Sequence, residues 1–111
     1  MVFLLEPDIF EELRERIVRD FLDIAVLAEL KKGRPMSGYD VIGFLNEKFR
    51  LVMSSGTVYN TLYALERDGV IEGQQRGKKR VYRLTDKGDG RISAILDSYE
   101  KIEKVMTSIC T

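Results

Sequence analysis

Residue types on which many catalytic and metal sites depend are missing or scarce in this chain. The 111 residues include no histidine and a single cysteine, Cys110. The absence of histidine excludes imidazole acid–base catalysis and histidine metal sites, and a lone terminal thiol is a poor candidate nucleophile. Cys110 cannot form an internal disulfide, which fits a reducing compartment. We therefore predict that the protein is not an enzyme and uses no cofactor or metal.

Long apolar runs are also absent. No stretch approaches the ~20 apolar residues that a membrane span requires. Residues 1–6 have no basic flank and only a short apolar run, so we expect no signal peptide. A hydrophobic content of 44% is ordinary for a globular chain, and this length suits one domain with a modest core. These features predict a soluble, cytoplasmic protein without membrane contact.

Charge is balanced overall but uneven along the chain. The 18 basic and 18 acidic residues give a net charge of zero, which argues neither for nor against nucleic acid. The charged residues within 6–29 are mostly acidic, whereas residues 73–85 contain no acidic residue. The basic residues of this second segment are Arg76, Lys78, Lys79, Arg80 and Arg83. Such a cluster is typical of a phosphate contact, although a solvated turn explains the charge alone equally well.

Apolar periodicity and capping residues predict five helices, with a β-hairpin before the last. The helices are predicted at residues 8–19, 21–30, 37–49, 55–68 and 86–109, and the strands at 70–71 and 80–84. Whether the first two patterns form one bent helix or two stays open. The second is apolar on nearly all sides, so we expect it at the centre of the core.

This order of elements is that of a winged helix-turn-helix. The predicted fold class is mainly α with a small β-hairpin. The helix before the hairpin enters the major groove in such proteins. We divide the chain into an N-terminal helical extension (1–20), a winged-helix DNA-binding domain (21–85) and a C-terminal dimerisation helix (86–111).

Candidate DNA-binding residues lie near the start of the third helix, on the fourth helix and in the basic turn. Hydroxyl and amide side chains offer short donors and acceptors to base edges and phosphates, and the basic turn attracts phosphate. An ordinary solvated helix face and packed tyrosines are the alternatives. The predicted residues are Ser37, Tyr39, Ser55, Thr57, Tyr59, Asn60, Tyr63, Arg76, Lys78, Lys79 and Arg80.

The last predicted helix carries an apolar seam with a heptad-like repeat. Its members are Ile92, Ile95, Tyr99, Ile102, Met106 and Ile109, separated by steps of three or four residues. The seam could pack onto its own domain, but an exposed stripe on a small domain favours a partner. We predict a homodimer, assisted by the N-terminal helix, with two DNA-reading helices about 34–36 Å apart.

Three stretches resemble the PadR family of winged-helix regulators. They are Met-Ser-Gly-Tyr-Asp at 36–40, Ser-Gly-Thr-Val-Tyr at 55–59 continuing to Ile71, and Lys-Arg-Val-Tyr-Arg-Leu-Thr-Asp-Lys-Gly at 79–88. The resemblance spans roughly residues 21–88. It implies a dimeric regulator, usually a repressor, on palindromic promoter DNA. It also implies that Thr57, Tyr59 and Asn60 begin the recognition helix and that residues 77–80 meet DNA.

The chain departs from the family pattern in two respects. Many relatives have proline where this chain has Asn60, which retains a backbone donor and adds a polar side chain. Some relatives release DNA when an aromatic compound binds, but this chain has no tryptophan to hold a flat drug. A small-molecule effector therefore stays an open question. The rival hypothesis is a winged helix that contacts only proteins, which would have no need of a basic wing.

Overall fold

The computed structural model describes residues 8–111 and confirms a winged helix-turn-helix. The predictions for residues 1–7, including the absence of a signal peptide and the start of the N-terminal extension, lie outside the described residues. The elements, in chain order, are α1 (Ile9–Asp20), α2 (Leu22–Leu30), β1 (Met36–Ser37), α3 (Gly38–Phe49), α4 (Ser55–Arg67), β2 (Ile71–Arg76), β3 (Lys79–Leu84), α5 (Asp86–Asp97) and α6 (Tyr99–Cys110).

Short polar side chains begin most of these helices by accepting hydrogen bonds from otherwise unpaired backbone amides. Ser37 and Asp40 form a reciprocal capping box at α3, as their spacing predicts. The other side-chain caps are Asp8 for α1, Ser54 for α4 and Thr85 for α5. The end of α4 is fixed by Gly69, whose φ of 77° lets the Val70 amide donate to the Leu65 carbonyl.

The first two helical patterns are separate helices that meet at Phe21, whose backbone leaves the helical range. Helix α2 buries Leu22, Val26, Leu27 and Leu30, which confirms its central position. Around it pack α4, α5 and the sheet, and the core continues through Val58, Leu62 and Leu65 of α4. Among residues 8–111, no helix combines the length and apolar character that spanning a bilayer would need.

The sheet contains three strands, not the two predicted. The short strand β1 pairs antiparallel with β3, and the strand order is β1-β3-β2. A two-residue strand is too short to show an alternating pattern, so β1 could not be predicted from apolar periodicity. The hairpin strands are also longer than predicted. Cross-strand pairing continues to Arg76 and Lys79, which reduces the connecting turn to Gly77 and Lys78.

The prediction of one continuous C-terminal helix is wrong. Helix α5 ends at Asp97, and α6 begins at Tyr99 after a non-helical Ser98. The Ser98 hydroxyl donates to the Ala94 carbonyl at 2.9 Å, a local bond that competes with regular helix geometry and often bends helices. No residue of α6 is buried, so this helix extends beyond the core.

Candidate nucleic-acid interface

Three elements that are distant in the sequence meet around one surface cleft. The start of α3, the first turns of α4 and the hairpin β2–β3, which we call the wing, line this cleft. Six of the eleven predicted DNA-binding residues are among its lining residues, together with Gln75, which the sequence analysis did not single out. The lining residues are Ser37, Tyr39, Tyr59, Gln75, Lys78, Lys79 and Arg80.

The first turn of α4 presents a polar, positively polarised helix end to solvent. The Ser54 hydroxyl accepts the Thr57 amide proton at 3.2 Å and donates to the Thr57 hydroxyl at 2.8 Å, which fixes both side chains. Ser55, Thr57 and Asn60 are all exposed. Helix N-termini favour anions because their free amides and the helix dipole point outward. This end of α4 is therefore suited to phosphates and base edges.

Three predicted tyrosines differ in their environments. Tyr39 is 77% exposed at the start of α3, and Tyr63 is 54% exposed on α4. Tyr59 is half-buried and packs against Gly38, where a Cβ atom would lie 2.4 Å from the Tyr59 ring. Gly38 thus lets α3 and α4 approach closely. Tyr59 joins these two helices and also lines the cleft.

The tip of the wing is an exposed cationic turn. Gly77 adopts a φ of 62° at the first position of the two-residue turn, a conformation that glycine adopts without steric cost. Arg76, Lys78 and Lys79 are exposed, and none of them forms an ion pair with another residue in the range 8–111. Their charges are thus available to an anionic partner.

Arg80 differs from these cations because its guanidinium is bound within the protein. It donates to the carboxylate of Glu66 on α4, and the same carboxylate oxygen accepts the Gly73 amide proton at 3.0 Å. The hydrogen bond and charge of Glu66 raise the pKa of Arg80. The sequence analysis did not single out Glu66, although it lies within the family-like stretch that runs from Ser55 to Ile71.

Ser37 lies beneath the surface instead of on it. Its side chain is 4% exposed, and its hydroxyl accepts the Asp40 amide proton in the capping box. The backbone amide of Ser37 donates to the Asp40 carboxylate, and this bond is the main reason that the pKa of Asp40 is lowered. Ser37 therefore supports the start of α3, and its buried hydroxyl is engaged in the cap.

The predicted dimerisation seam begins inside the core and continues onto the exposed surface. Ile92 is fully buried in its own domain and Ile95 packs against that core, so Ile92 must be removed from the set of partner contacts. The later members are exposed, and Leu96 and Val105 extend the stripe. The exposed residues, with their exposed fractions, are Leu96 48%, Tyr99 64%, Ile102 46%, Val105 59%, Met106 45% and Ile109 71%.

A second exposed apolar stripe lies on α1 and the α1–α2 junction. Its residues are Ile9, Phe10, Leu13, Ile17 and Phe21, each at least 42% exposed. Helix α1 is held to the domain by Arg14, which donates to the Phe49 carbonyl at the end of α3. Within residues 8–111, no cluster of histidine, cysteine or acidic side chains is arranged to hold a metal ion.

The fold and the cationic wing define a winged-helix protein. Residues 26–94 match the family described as "Transcriptional regulator PadR-like family", and the chain belongs to this family. It is 28% identical over 109 residues to the transcriptional activator GvpE1 of Halobacterium salinarum. That alignment covers 96% of this chain and 57% of the relative, so the chain spans little more than half of its length.

Solved structures share the fold. A transcriptional regulator from Clostridium thermocellum superposes with a TM-score of 0.73 at 22% identity, covering 86% of this chain and 96% of that one. Bacillus subtilis PadR, solved in complex with operator DNA, superposes with a TM-score of 0.59 at 29% identity. That match covers 68% of this chain and 47% of that protein.

Proposed function

We propose that this chain is a sequence-specific DNA-binding transcriptional regulator that acts as a homodimer on palindromic promoter DNA. The observation that carries the proposal is that α4, through Tyr59, and the wing, through Lys78 and Lys79, line one cleft beside the exposed first turn of α4. Although the chain is neutral overall, the wing carries a local excess of positive charge. The wing is a part of the winged-helix fold that meets DNA. The likeness to a protein solved with operator DNA supports the same conclusion.

In this proposal α4 enters the major groove and the wing follows the adjacent backbone. Thr57 and Asn60 reach base edges, because they are exposed on the first turns of α4. Arg76, Lys78 and Lys79 neutralise phosphates. Ser55 and the exposed tyrosines Tyr39 and Tyr63 fix the position of the helix against sugar and phosphate, and Tyr59 holds α4 to α3.

The proposed dimer uses the exposed stripes of α1 and α6. A second copy of the chain would cover Tyr99, Ile102 and Met106, which no other part of residues 8–111 buries. Two-fold symmetry is the commonest arrangement and matches a palindromic site. We keep the division into an extension (1–20), a DNA-binding domain (21–85) and a dimerisation region (86–111) as part of this proposal.

We propose repression as the outcome, because a dimer bound across a promoter excludes other proteins from it. The related GvpE1 is named an activator, so the sign needs its own test. A reporter fused to the bound promoter should gain expression when the gene for this protein is deleted. A loss of expression would show that the protein is an activator, and would leave the DNA-binding proposal intact.

A first prediction concerns Lys79, an exposed wing residue that forms no ion pair with residues 8–111. Replacing Lys79 with Ala should weaken binding to every duplex and lower the slope of log affinity against log salt by about one unit. Fluorescence anisotropy at several salt concentrations measures this slope. Glu72→Ala, on the neighbouring strand, is the control and should leave the slope unchanged. An unaltered slope for Lys79→Ala would remove this lysine from the phosphate contacts.

A second prediction concerns Asn60, whose exposed amide lies on the α4 face proposed to read bases. Asn60→Ala should reduce discrimination at one base pair in each half-site by about 1–3 kcal/mol, while binding to scrambled duplex stays nearly constant. A selection from randomised duplexes measures the preference at each position. If the wild-type and Asn60→Ala preferences coincide, Asn60 does not read a base.

A further inference from the structure

One acidic residue of α4, the helix proposed to enter the major groove, is oriented toward the wing. Glu66 lies on α4, and its Oε2 atom accepts hydrogen bonds from two groups of the wing, the Gly73 amide and the Arg80 guanidinium. Its side chain is 29% exposed, compared with 42% for Arg80. A carboxylate on the helix proposed to enter the major groove opposes phosphate binding through its charge, so its presence on α4 calls for a structural explanation.

The geometry around this contact shows why Glu66 reaches the wing. Strand β2 is at the edge of the sheet, and the Gly73 amide turns away from β3 toward α4, so Glu66 provides its partner. The Arg80 guanidinium occupies the space that a side chain at position 73 would fill, since a Cβ there would lie 2.5 Å from Arg80 Nε. It also lies 5.8 Å from the centre of the buried Tyr82 ring.

We propose that Glu66, Gly73 and Arg80 form a latch that fixes the wing at a set angle to the recognition helix α4. In this inference, which rests on the proposed DNA-binding function, Arg80 is a positioning residue instead of a phosphate contact. The carboxylate binds one group from each wing strand, so it restrains the hairpin as a unit. A fixed wing places Lys78 and Lys79 at one distance from α4 and lowers the ordering cost of binding.

Glu66 variants separate the latch from simple electrostatics because the two explanations predict opposite signs. Removing an acid should tighten DNA binding if charge alone matters. The latch predicts that Glu66→Ala weakens specific binding by about fivefold, because a charge-assisted contact is lost. Glu66→Gln keeps an acceptor oxygen and should bind within about twofold of wild type. Glu72→Ala, which removes an exposed acid from the same wing, should not weaken binding. Tighter binding by Glu66→Ala would overturn the latch.

Gly73→Ala provides a variant that changes no charge. Its Cβ would displace the Arg80 side chain, so the latch predicts weaker specific binding. An explanation by charge alone predicts no change in affinity. Arg80→Ala should also bind more weakly but keep the wild-type salt slope, in contrast to Lys79→Ala. A slope that falls by one unit for Arg80→Ala would make Arg80 a phosphate contact and overturn its positioning role.

Amide hydrogen exchange tests the latch without DNA. In the full chain, Glu66→Ala should make the Gly73 amide exchange about fivefold faster, while amides of α2 and α4 keep their protection. Glu66→Gln should restore most of the protection. Unchanged exchange at Gly73 would overturn the latch even if the protein binds DNA. Failure of the wild-type protein to bind any duplex would instead overturn the proposed function, and this measurement would still decide the latch.

Discussion

Changing both Ile102 and Met106 to Glu should convert the protein to a monomer and reduce its affinity for a palindromic site by roughly a hundredfold or more. Both side chains lie on α6, are nearly half exposed, and are not covered by any part of residues 8–111. Carboxylates at these positions would have to be buried without partners in a dimer, which is costly. A monomer would bind one half-site and lose the gain from the second.

The measurements are light scattering for mass and anisotropy on duplexes with one or two half-sites. Lys104→Glu is a matched control, because it also lowers the net charge by two units but lies on the opposite side of α6. It should remain dimeric and bind as wild type does. A dimer that persists in the double variant would mean that the α6 stripe does not join the subunits. Because these residues are exposed in the single chain, the variant should keep its own fold, and its melting temperature should fall only by the stabilisation that dimerisation gives the wild type.

Gly88→Ala should be the most destabilising of the glycine-to-alanine substitutions in residues 8–111. The new Cβ would lie 1.9 Å from the Val70 carbonyl oxygen, which itself accepts the Thr85 amide proton at 3.2 Å. The Val70 carbonyl and the Thr85 amide both belong to the backbone, so neither can move without disturbing the junction between α4 and the wing. Overpacking commonly costs about 1–3 kcal/mol and here should reach the upper end or more. Thermal unfolding should shift downward on the order of 10 °C.

Gly90→Ala is the natural comparison because both glycines lie in the first turns of α5. A Cβ at Gly90 meets no atom within 4 Å, so alanine should stabilise the helix by up to about 1 kcal/mol. Circular dichroism melts of the two variants should therefore move in opposite directions. Equal behaviour of both variants would show that helix propensity, and not the approach to Val70, governs position 88.

Local sequence signals were sufficient to predict most of the fold. Serine and threonine caps, glycine stops and apolar periodicity depend on residues within one or two turns, and the buried residues Val58, Leu62 and Leu65 of α4 stand at such helical spacing. The strand β1 could not be predicted, because two residues carry no period. The interruption at Ser98 was also missed, since a hydroxyl that bonds to Ala94 looks like any polar residue on a helix.

The candidate interface was predicted only in part, because residue types are visible in the sequence but contacts between distant residues are not. Residue types indicated which side chains suit DNA, and the exposure of Thr57, Asn60 and Lys79 is consistent with those predictions. Hydrogen bonds and ion pairs between residues distant in the sequence could not be predicted. Arg80 was grouped with the free cations, because nothing local shows that Glu66, fourteen positions earlier, binds it. Ile92 likewise fits the heptad-like spacing but belongs to the core.

The most direct test of the account is a fluorescence-anisotropy titration with the DNA upstream of the protein's own gene and with a scrambled duplex, at low and moderate salt. We predict tighter binding to the upstream duplex and a steep salt dependence on both. Equal, salt-sensitive binding to both duplexes would mean that the upstream DNA is not a specific target, but would leave DNA binding itself intact. The absence of binding to either duplex at low salt would contradict the central claim and favour a winged helix that contacts proteins.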